Sequence, residues 1–192
     1  MTNRIVLRLR PCLAAVAVPF LFGLALSAQT PAAAAPSAAP AAVWTTYRYP
    51  TDGFSILSPL EPQLTKNQVP TEAGTFELRA YLATPGSSAL YVGVCDYGAA
   101  VSGRDPQVVL TGAKEGAIAN VKAHIVSEQK ITLGASPGVQ FEAENDTMHF
   151  SARIYLVGTT LYQALTASPL TDRYADSTRF LDSFSLIPRV AN

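Results

Sequence analysis

Alternating apolar and polar residues fill most of the chain between residues 44 and 97, and a period of two is typical of strands buried on one face. The predicted strands span residues 44–49, 54–57, 76–82 and 89–97, with a weaker edge strand at 64–69. An Asp52-Gly53 pair between the first two strands favours a tight reversal. The last run is apolar on both faces, so we expect a central strand covered on both sides.

Two later stretches carry helix signals. Asp105 precedes Pro106, which places an N-cap acid before a proline at the first helical position. Apolar residues then recur every four positions, at Val109, Ala113, Ala117 and Val121. This pattern predicts a helix of about four turns. A second helix is predicted to begin at Thr171 or Asp172, with Tyr174, Thr178 and Leu181 on one side.

Four more strand-like segments follow the first helix, at residues 125–133, 139–144, 148–157 and 161–167, and a short strand closes the chain at 184–187. The connections between the four are short and rich in turn residues, which predicts an antiparallel meander. Strands in blocks with two separated helices predict an α+β fold class, namely an antiparallel β-sheet covered by helices.

The meander allows a prediction of strand register. A two-residue turn at residues 145–146 would place Glu142 opposite His149 and Phe141 opposite Phe150. Both phenylalanines then lie on the face that the core requires. The core face of these strands would also carry Val139, Met148, Ile154 and Leu156.

The opposite face of the same strands carries the most reactive side chains in the sequence. A turn at residues 158–159 pairs Tyr155 with Tyr162, and the predicted face comprises Glu142, His149, Ser151, Arg153, Tyr155 and Tyr162. Two interpretations stay open. The face is either an ordinary solvent surface with a cross-strand Glu–His pair, or a shallow site that binds an anionic or polar ligand or a partner protein.

Charge and composition divide the chain into unlike parts. The 192 residues contain 14 Lys and Arg against 14 Asp and Glu, so no polybasic field for nucleic acid exists. Residues 1–28 contain no acid; Arg4, Arg8 and Arg10 precede an apolar stretch at 12–26 that is too short to span a bilayer, which needs about 20 residues. This pattern predicts a signal peptide, with cleavage near 25–27 or near 32–34.

The predicted organisation is a signal peptide at 1–28, an Ala/Pro-rich disordered linker at 29–43 and one α+β domain at 44–188. Export places the domain in the periplasm or outside the cell, with no stable membrane span after cleavage. Loss of the leader removes three arginines and leaves an acidic excess, which argues against DNA, RNA and anionic lipid as partners.

Catalytic and metal motifs receive little support from the sequence. Residues 134–138 match the G-x-S-x-G of serine hydrolases, but Pro137 follows the serine and has no N–H for an oxyanion hole, so a hairpin turn is predicted. Cys95 lies in an apolar run and is expected to be buried, and His124 is expected to be structural. We predict no catalytic residue, metal site or cofactor; a weak calcium contact near residues 142–146 stays open.

Several segments resemble a known family. Tyr49-Pro50-Thr51-Asp52-Gly53-Phe54-Ser55-Ile56, the tyrosine-rich meander and the ending Arg179-Phe180-Leu181-Asp182-Ser183-Phe184 are similar to the PsbP-like superfamily, which is named for an extrinsic photosystem II subunit. The chain resembles uncharacterised exported bacterial members more than photosynthetic ones. The resemblance implies an α/β/α sandwich around an antiparallel sheet and a role as an accessory or binding protein, and it transfers no site residue.

The sequence is compatible with three functions. The first is a non-catalytic binding or accessory module for an envelope protein or a small ligand. The second is a hydrolase that uses His149 with Glu142 as its catalytic pair. The third is a purely structural component of the cell envelope.

Overall fold

The computed structural model describes residues 42–71 and 74–190, so the predicted signal peptide and most of the predicted linker lie outside the described residues. The strands are β1 Thr45–Tyr49, β2 Phe54–Ser58, β3 Gln63–Thr71, β4 Gly74–Ala83, β5 Ala89–Asp96, β6 His124–Leu133, β7 Ser136–Glu144, β8 Met148–Val157, β9 Thr160–Pro169 and β10 Ser185–Leu186. The helices are α1 Pro106–Val121 and α2 Ser177–Asp182, and a single 3₁₀ turn covers Gly98–Ala100.

Two antiparallel sheets build the fold. Seven strands pair in the order β3-β4-β5-β9-β8-β7-β6, and three pair in the order β1-β2-β10. The last four strands of the large sheet form the predicted meander, because each hairpin joins neighbours in the sequence. β5 joins the meander through β9 and is buried on both faces, as its continuous apolar run predicted.

Each face of the large sheet is covered by different elements. One face packs against α1, around a core that includes Leu110, Phe141 and Phe150. The other face packs against the small sheet and α2, around Phe54 and Phe180. The protein is thus an α+β fold whose central antiparallel sheet has one helix on each side, with the small sheet added to the α2 layer.

Helix α1 agrees with the prediction in its residues and its N-cap. The Asp105 carboxylate accepts a hydrogen bond from the Gln107 N–H at 2.9 Å, and Pro106 occupies the first turn. Lys122 ends the helix in the left-handed conformation, with φ of 51°. The buried residues Val109 and Ala113 lie on the predicted apolar side.

Helix α2 is shorter than predicted, since it begins at Ser177 rather than at residue 171 or 172. The preceding segment is instead held against the meander. Leu170 donates its N–H to the Thr147 carbonyl at 2.9 Å, and Arg173 forms an ion pair with Glu144. These tertiary contacts compete with helix formation, which explains the late start.

The predicted register between β7 and β8 was wrong by two residues. The Asn145 side-chain oxygen accepts hydrogen bonds from the N–H groups of Thr147 at 3.0 Å and Met148 at 2.9 Å, so the loop is longer than a two-residue turn. Glu144, not Glu142, therefore lies opposite His149. A shift of two preserves the sheet face of every residue, so the predicted faces were right.

Candidate functional site

The six predicted site residues share one face of the large sheet, but the small sheet covers half of that face. Tyr155 pairs with Tyr162, as predicted, and both are buried at 4% and 2% exposure. The Phe184 ring stacks on Tyr155 with centroids 5.8 Å apart and lies 5.7 Å from Tyr162. The expectation of a solvent face was therefore wrong for the two tyrosines, because residues distant in sequence pack over them.

The other half of the face holds a polar group that we call the polar ledge, comprising Gln140, Glu142, His149, Ser151 and Arg153, of which Ser151 is buried at 5% exposure. Glu142 lies at its centre. Its Oε2 atom accepts a hydrogen bond from the Ser151 hydroxyl at 2.5 Å and lies 3.0 Å from His149 Nε2. The Glu142 side chain is 29% exposed and that of His149 14%, so both reach solvent from a fixed position.

Arg153 links the polar ledge to helix α2. Its Nε donates to the Gln140 side-chain oxygen at 2.8 Å, and its Nη2 donates to Asp182 at 2.5 Å. Planar guanidinium donors in two directions fix both partners. The arginine side chain is 18% exposed, so it stands at the boundary between the covered half of the face and the open half.

Two shallow cavities lie near β6 and β7. One, of about 180 Å³, is lined by Ser127 and Gln129 of β6 and by Gln140 of the polar ledge, together with Glu128 and Phe141. The other, of about 210 Å³, lies between α1 and the same two strands. The first cavity extends the polar ledge toward the sheet edge, and it has a size that admits a small polar molecule.

A buried acid that the sequence had indicated only as a turn residue lies beneath the small sheet. Asp52 is 1% exposed, and its Oδ1 atom accepts from Arg79 Nε at 2.5 Å, while Tyr81 donates its hydroxyl to Oδ2. The Tyr162 hydroxyl donates to the Asp52 carbonyl at 2.7 Å. A buried carboxylate requires such partners, and we call this group the Asp52 cluster.

The Asp52 cluster holds the turn between β1 and β2 against the large sheet. Burial, followed by the hydrogen bond to Asp52, raises the pKa of Tyr81 well above its ordinary value. Gly53 has φ of +74°, and a Cβ there would lie 2.7 Å from Arg189 Cγ. The Asp52-Gly53 pair predicted this turn, but the ion pair that accompanies the burial of Asp52 was not predictable from local sequence, since Arg79 is 27 residues away in the chain.

The C-terminal segment completes the Asp52 cluster. Arg189 donates to the Tyr162 hydroxyl at 2.9 Å and to the Thr160 hydroxyl at 3.0 Å, and the Val190 N–H donates to the Pro50 carbonyl at 3.0 Å. These contacts lie just beyond the predicted end of the domain at residue 188. The segment therefore takes part in the fold.

The other residues singled out for chemistry lie apart from the polar ledge. Ser136 begins β7 directly after the two-residue hairpin turn at residues 134–135, as predicted for the G-x-S-x-G match. His124 is exposed at the start of β6. Cys95 is buried at 3% exposure, as expected, and burial raises the pKa of its thiol. Within residues 42–71 and 74–190, no three His, Cys, Asp or Glu side chains are grouped to hold a metal ion.

No protein-family model and no curated protein sequence matches this chain. A similarity appears among solved structures. The solution structure of cyanobacterial PsbP (CyanoP) from Synechocystis sp. PCC 6803 matches with a TM-score of 0.54 at 10% sequence identity, over 80% of this chain and 98% of that one. The chain thus has a PsbP-like fold, as the family resemblance implied. Across the described segments, neither helix is long and apolar enough to cross a membrane.

Proposed function

We propose that the chain is an exported, non-catalytic accessory module that binds a polar ligand or an envelope partner through the polar ledge. One observation carries the proposal: Glu142, His149 and Arg153 are held in fixed positions on neighbouring strands, and a shallow cavity of about 180 Å³ borders the polar ledge at Gln140. Preorganised polar groups on rigid strands lower the entropic cost of binding. The PsbP-like fold supports an accessory role by analogy of fold.

The polar ledge contains groups of both charge signs. The Arg153 guanidinium supplies donors and Glu142 supplies an acceptor, with His149 beside Glu142 on the side away from Arg153. A ligand or partner with both an acceptor and a donor matches this surface better than a purely cationic or anionic one. Tyr155 and Tyr162, which belong to the same predicted site, lie beside the polar ledge on the same face but are buried, so they do not touch the ligand.

The hydrolase alternative is favoured by one contact, the 3.0 Å distance between His149 and Glu142. A hydrolase of this kind also needs a nucleophile that His149 can deprotonate. Ser151 is 5% exposed and its hydroxyl donates to Glu142, so it is neither accessible nor directed at the imidazole. Nothing in the described geometry favours the purely structural alternative over a binding module.

Affinity capture from the native envelope tests the proposal. Wild-type protein is compared with a Glu142→Gln/His149→Asn double variant and with Lys66→Ala, an exposed change on the far edge strand β3. We expect wild type and Lys66→Ala to retain the same partner or co-purified small molecule, and the double variant to lose it. Equal retention by all three proteins contradicts the proposal.

The proposed export and the proposed lack of catalytic activity need separate measurements. N-terminal sequencing of the exported protein should give a start soon after residue 27 or residue 34. Hydrolysis of a panel of ester and amide substrates should be absent in wild type. Turnover that His149→Asn removes while the fold is intact would favour the hydrolase instead.

A further inference from the structure

The outer edge of the large sheet at β6 is open along most of its length. Residues His124 through Lys130 are all exposed, and they include Ile125 at 37% and Val126 at 55%. Among the described residues, β6 pairs only with β7. Helix α1 packs mainly on β7 and β8 and contacts β6 through the ion pair between Lys114 and Glu128. A long strand with an unpaired edge is a template for pairing with another chain.

The hairpin geometry identifies which main-chain groups face outward. β6 and β7 are joined by a two-residue turn in which Leu133 pairs with Ser136. The closing pair of such a hairpin is hydrogen-bonded, and hydrogen-bonded pairs then alternate along the strands. Gln129 therefore directs its main-chain N–H and C=O toward β7, whereas Glu128 and Lys130 direct theirs outward.

We propose that β6 pairs antiparallel with β6 of a second copy of this chain, about a two-fold axis at Gln129. In this register Glu128 of each copy lies opposite Lys130 of the other, and both residues present outward main-chain groups. The two residues exchange main-chain hydrogen bonds while their unlike charges face each other. This self-complementary charge pattern selects a second copy as the occupant, because a two-fold interface places the same patch against itself.

The opposite edge of the large sheet lacks these properties. Counting from the Thr71–Gly74 pair, Pro70 of β3 takes an outward position and has no N–H to donate. Lys66 is the one charged residue of β3, so self-pairing there brings no unlike charges together. β6 does contain a bulge between Ile125 and Ser127, which ends the regular pairing segment at Ser127. The central register at Gln129 lies clear of it.

Cysteine cross-linking tests the register directly. Two Gln129→Cys residues would face each other on the axis, with Cα atoms about 4.5 Å apart, within the reach of a disulfide. Two Ser127→Cys residues would be displaced by four residues, about 13 Å, and out of reach. Because Cys95 is buried, it contributes no competing thiol. Mild oxidation of the exported protein should link Gln129→Cys into dimers and leave Ser127→Cys monomeric.

Sedimentation equilibrium with charge variants tests the pairing energetics. Glu128→Lys and Lys130→Glu should each raise the dimer dissociation constant at least about tenfold, and the double exchange should restore it, because unlike charges again face each other. Lys130→Glu is the cleaner single variant, since Glu128 also lies 2.5 Å from Lys114. Thermal melting verifies that each variant is folded.

A backbone variant completes the design. Lys130→Pro removes an N–H that faces outward, so the β6–β7 pairing should survive while the dimer is lost. Wild-type protein that stays monomeric up to about 0.5 mM overturns the proposal, since such weak association has no stable register. Equal cross-linking of both cysteine variants, or a dimer unaffected by the charge variants, also overturns it.

Discussion

One half of one face of the large sheet is buried in the core, and the other half reaches solvent. Tyr155 and Tyr162 lie beneath Phe184 in the core, while Glu142 and His149, on the same side of neighbouring strands, form an open polar ledge. Arg153 stands at the boundary and bonds to both sides. Strand alternation assigned all of these residues to one face, and only the covering elements separate them.

The difference shows that a sheet face acquires its chemistry from what packs on it. The cover comes from β2, β10 and α2, which lie at opposite ends of the domain sequence. A tyrosine beneath this cover contributes to stability, and a polar residue beside it is available for binding. Substitutions on the covered half should therefore change stability, whereas those on the polar ledge should change recognition.

The largest effect is expected from Phe184→Ala. The ring is 4% exposed and packs on Phe54 and both core tyrosines, so its loss creates a cavity between the two sheets. The free energy of unfolding should fall by about 4 kcal/mol, measured by urea denaturation. Leu186→Ala, at 36% exposure on β10, is the matched control and should have a much smaller effect. Equal losses of unfolding free energy in the two variants would show that Phe184 does not exclude solvent from this half of the face.

Asp52→Asn should have the next largest effect. It removes the charge that pairs with Arg79 and weakens the acceptor for Tyr81, so the unfolding free energy should fall by about 3 kcal/mol. Glu77→Gln removes an exposed partner of the same arginine and should cost about 0.5 kcal/mol or less. If the two variants were equally destabilised, the Asp52 cluster would not hold the small sheet in place.

Alkaline pH should lower the stability of the fold where the small sheet packs on the large sheet. Burial raises the pKa of Tyr49 to about 12, above its ordinary value of 10.0. The folded state holds the phenolic proton more tightly than the unfolded state. The contribution of Tyr49 to the free energy of unfolding is therefore fully present below pH 10.0 and is lost as pH rises through about 12. The melting temperature should fall over that range, and Tyr49→Phe should flatten the fall. An unchanged slope in this variant would contradict the assignment.

The smallest effect is expected on the polar ledge. His149→Asn removes one contact to Glu142, which keeps its hydrogen bond from Ser151, so the unfolding free energy should change by about 1 kcal/mol or less. Chemical denaturation gives the value. A loss as large as that of Phe184→Ala would mean that the polar ledge is part of the core.

Local patterns were sufficient to predict most of the fold. Period-two alternation located the strands, Asp105-Pro106 located the start of α1, and the missing N–H of Pro137 identified the hairpin at residues 134–138. Each of these signals depends on residues close together in the chain. The sheet face of each residue followed as well, because a two-residue register shift leaves it unchanged.

The remaining features depend on contacts between distant residues. The Asn145 side chain bonds across a loop that the sequence predicted to be a two-residue turn. The structural role of Asp52 depends on its contacts with Arg79 and Tyr81, which are distant in the chain. The burial of Tyr155 and Tyr162 depends on Phe184, which follows them by a full helix and loop. No periodic signal carries such information, so the sequence predicted that these residues share one face of the sheet but not how that face is divided.

Solvent access along the divided face can be measured directly by NMR with a soluble paramagnetic agent. The account predicts strong broadening of the His149 imidazole signals and little broadening of the Tyr155 and Tyr162 ring signals, because the small sheet covers only the tyrosines. Broadening of the two tyrosines equal to that of His149 would contradict the division of the face into a core and a polar ledge.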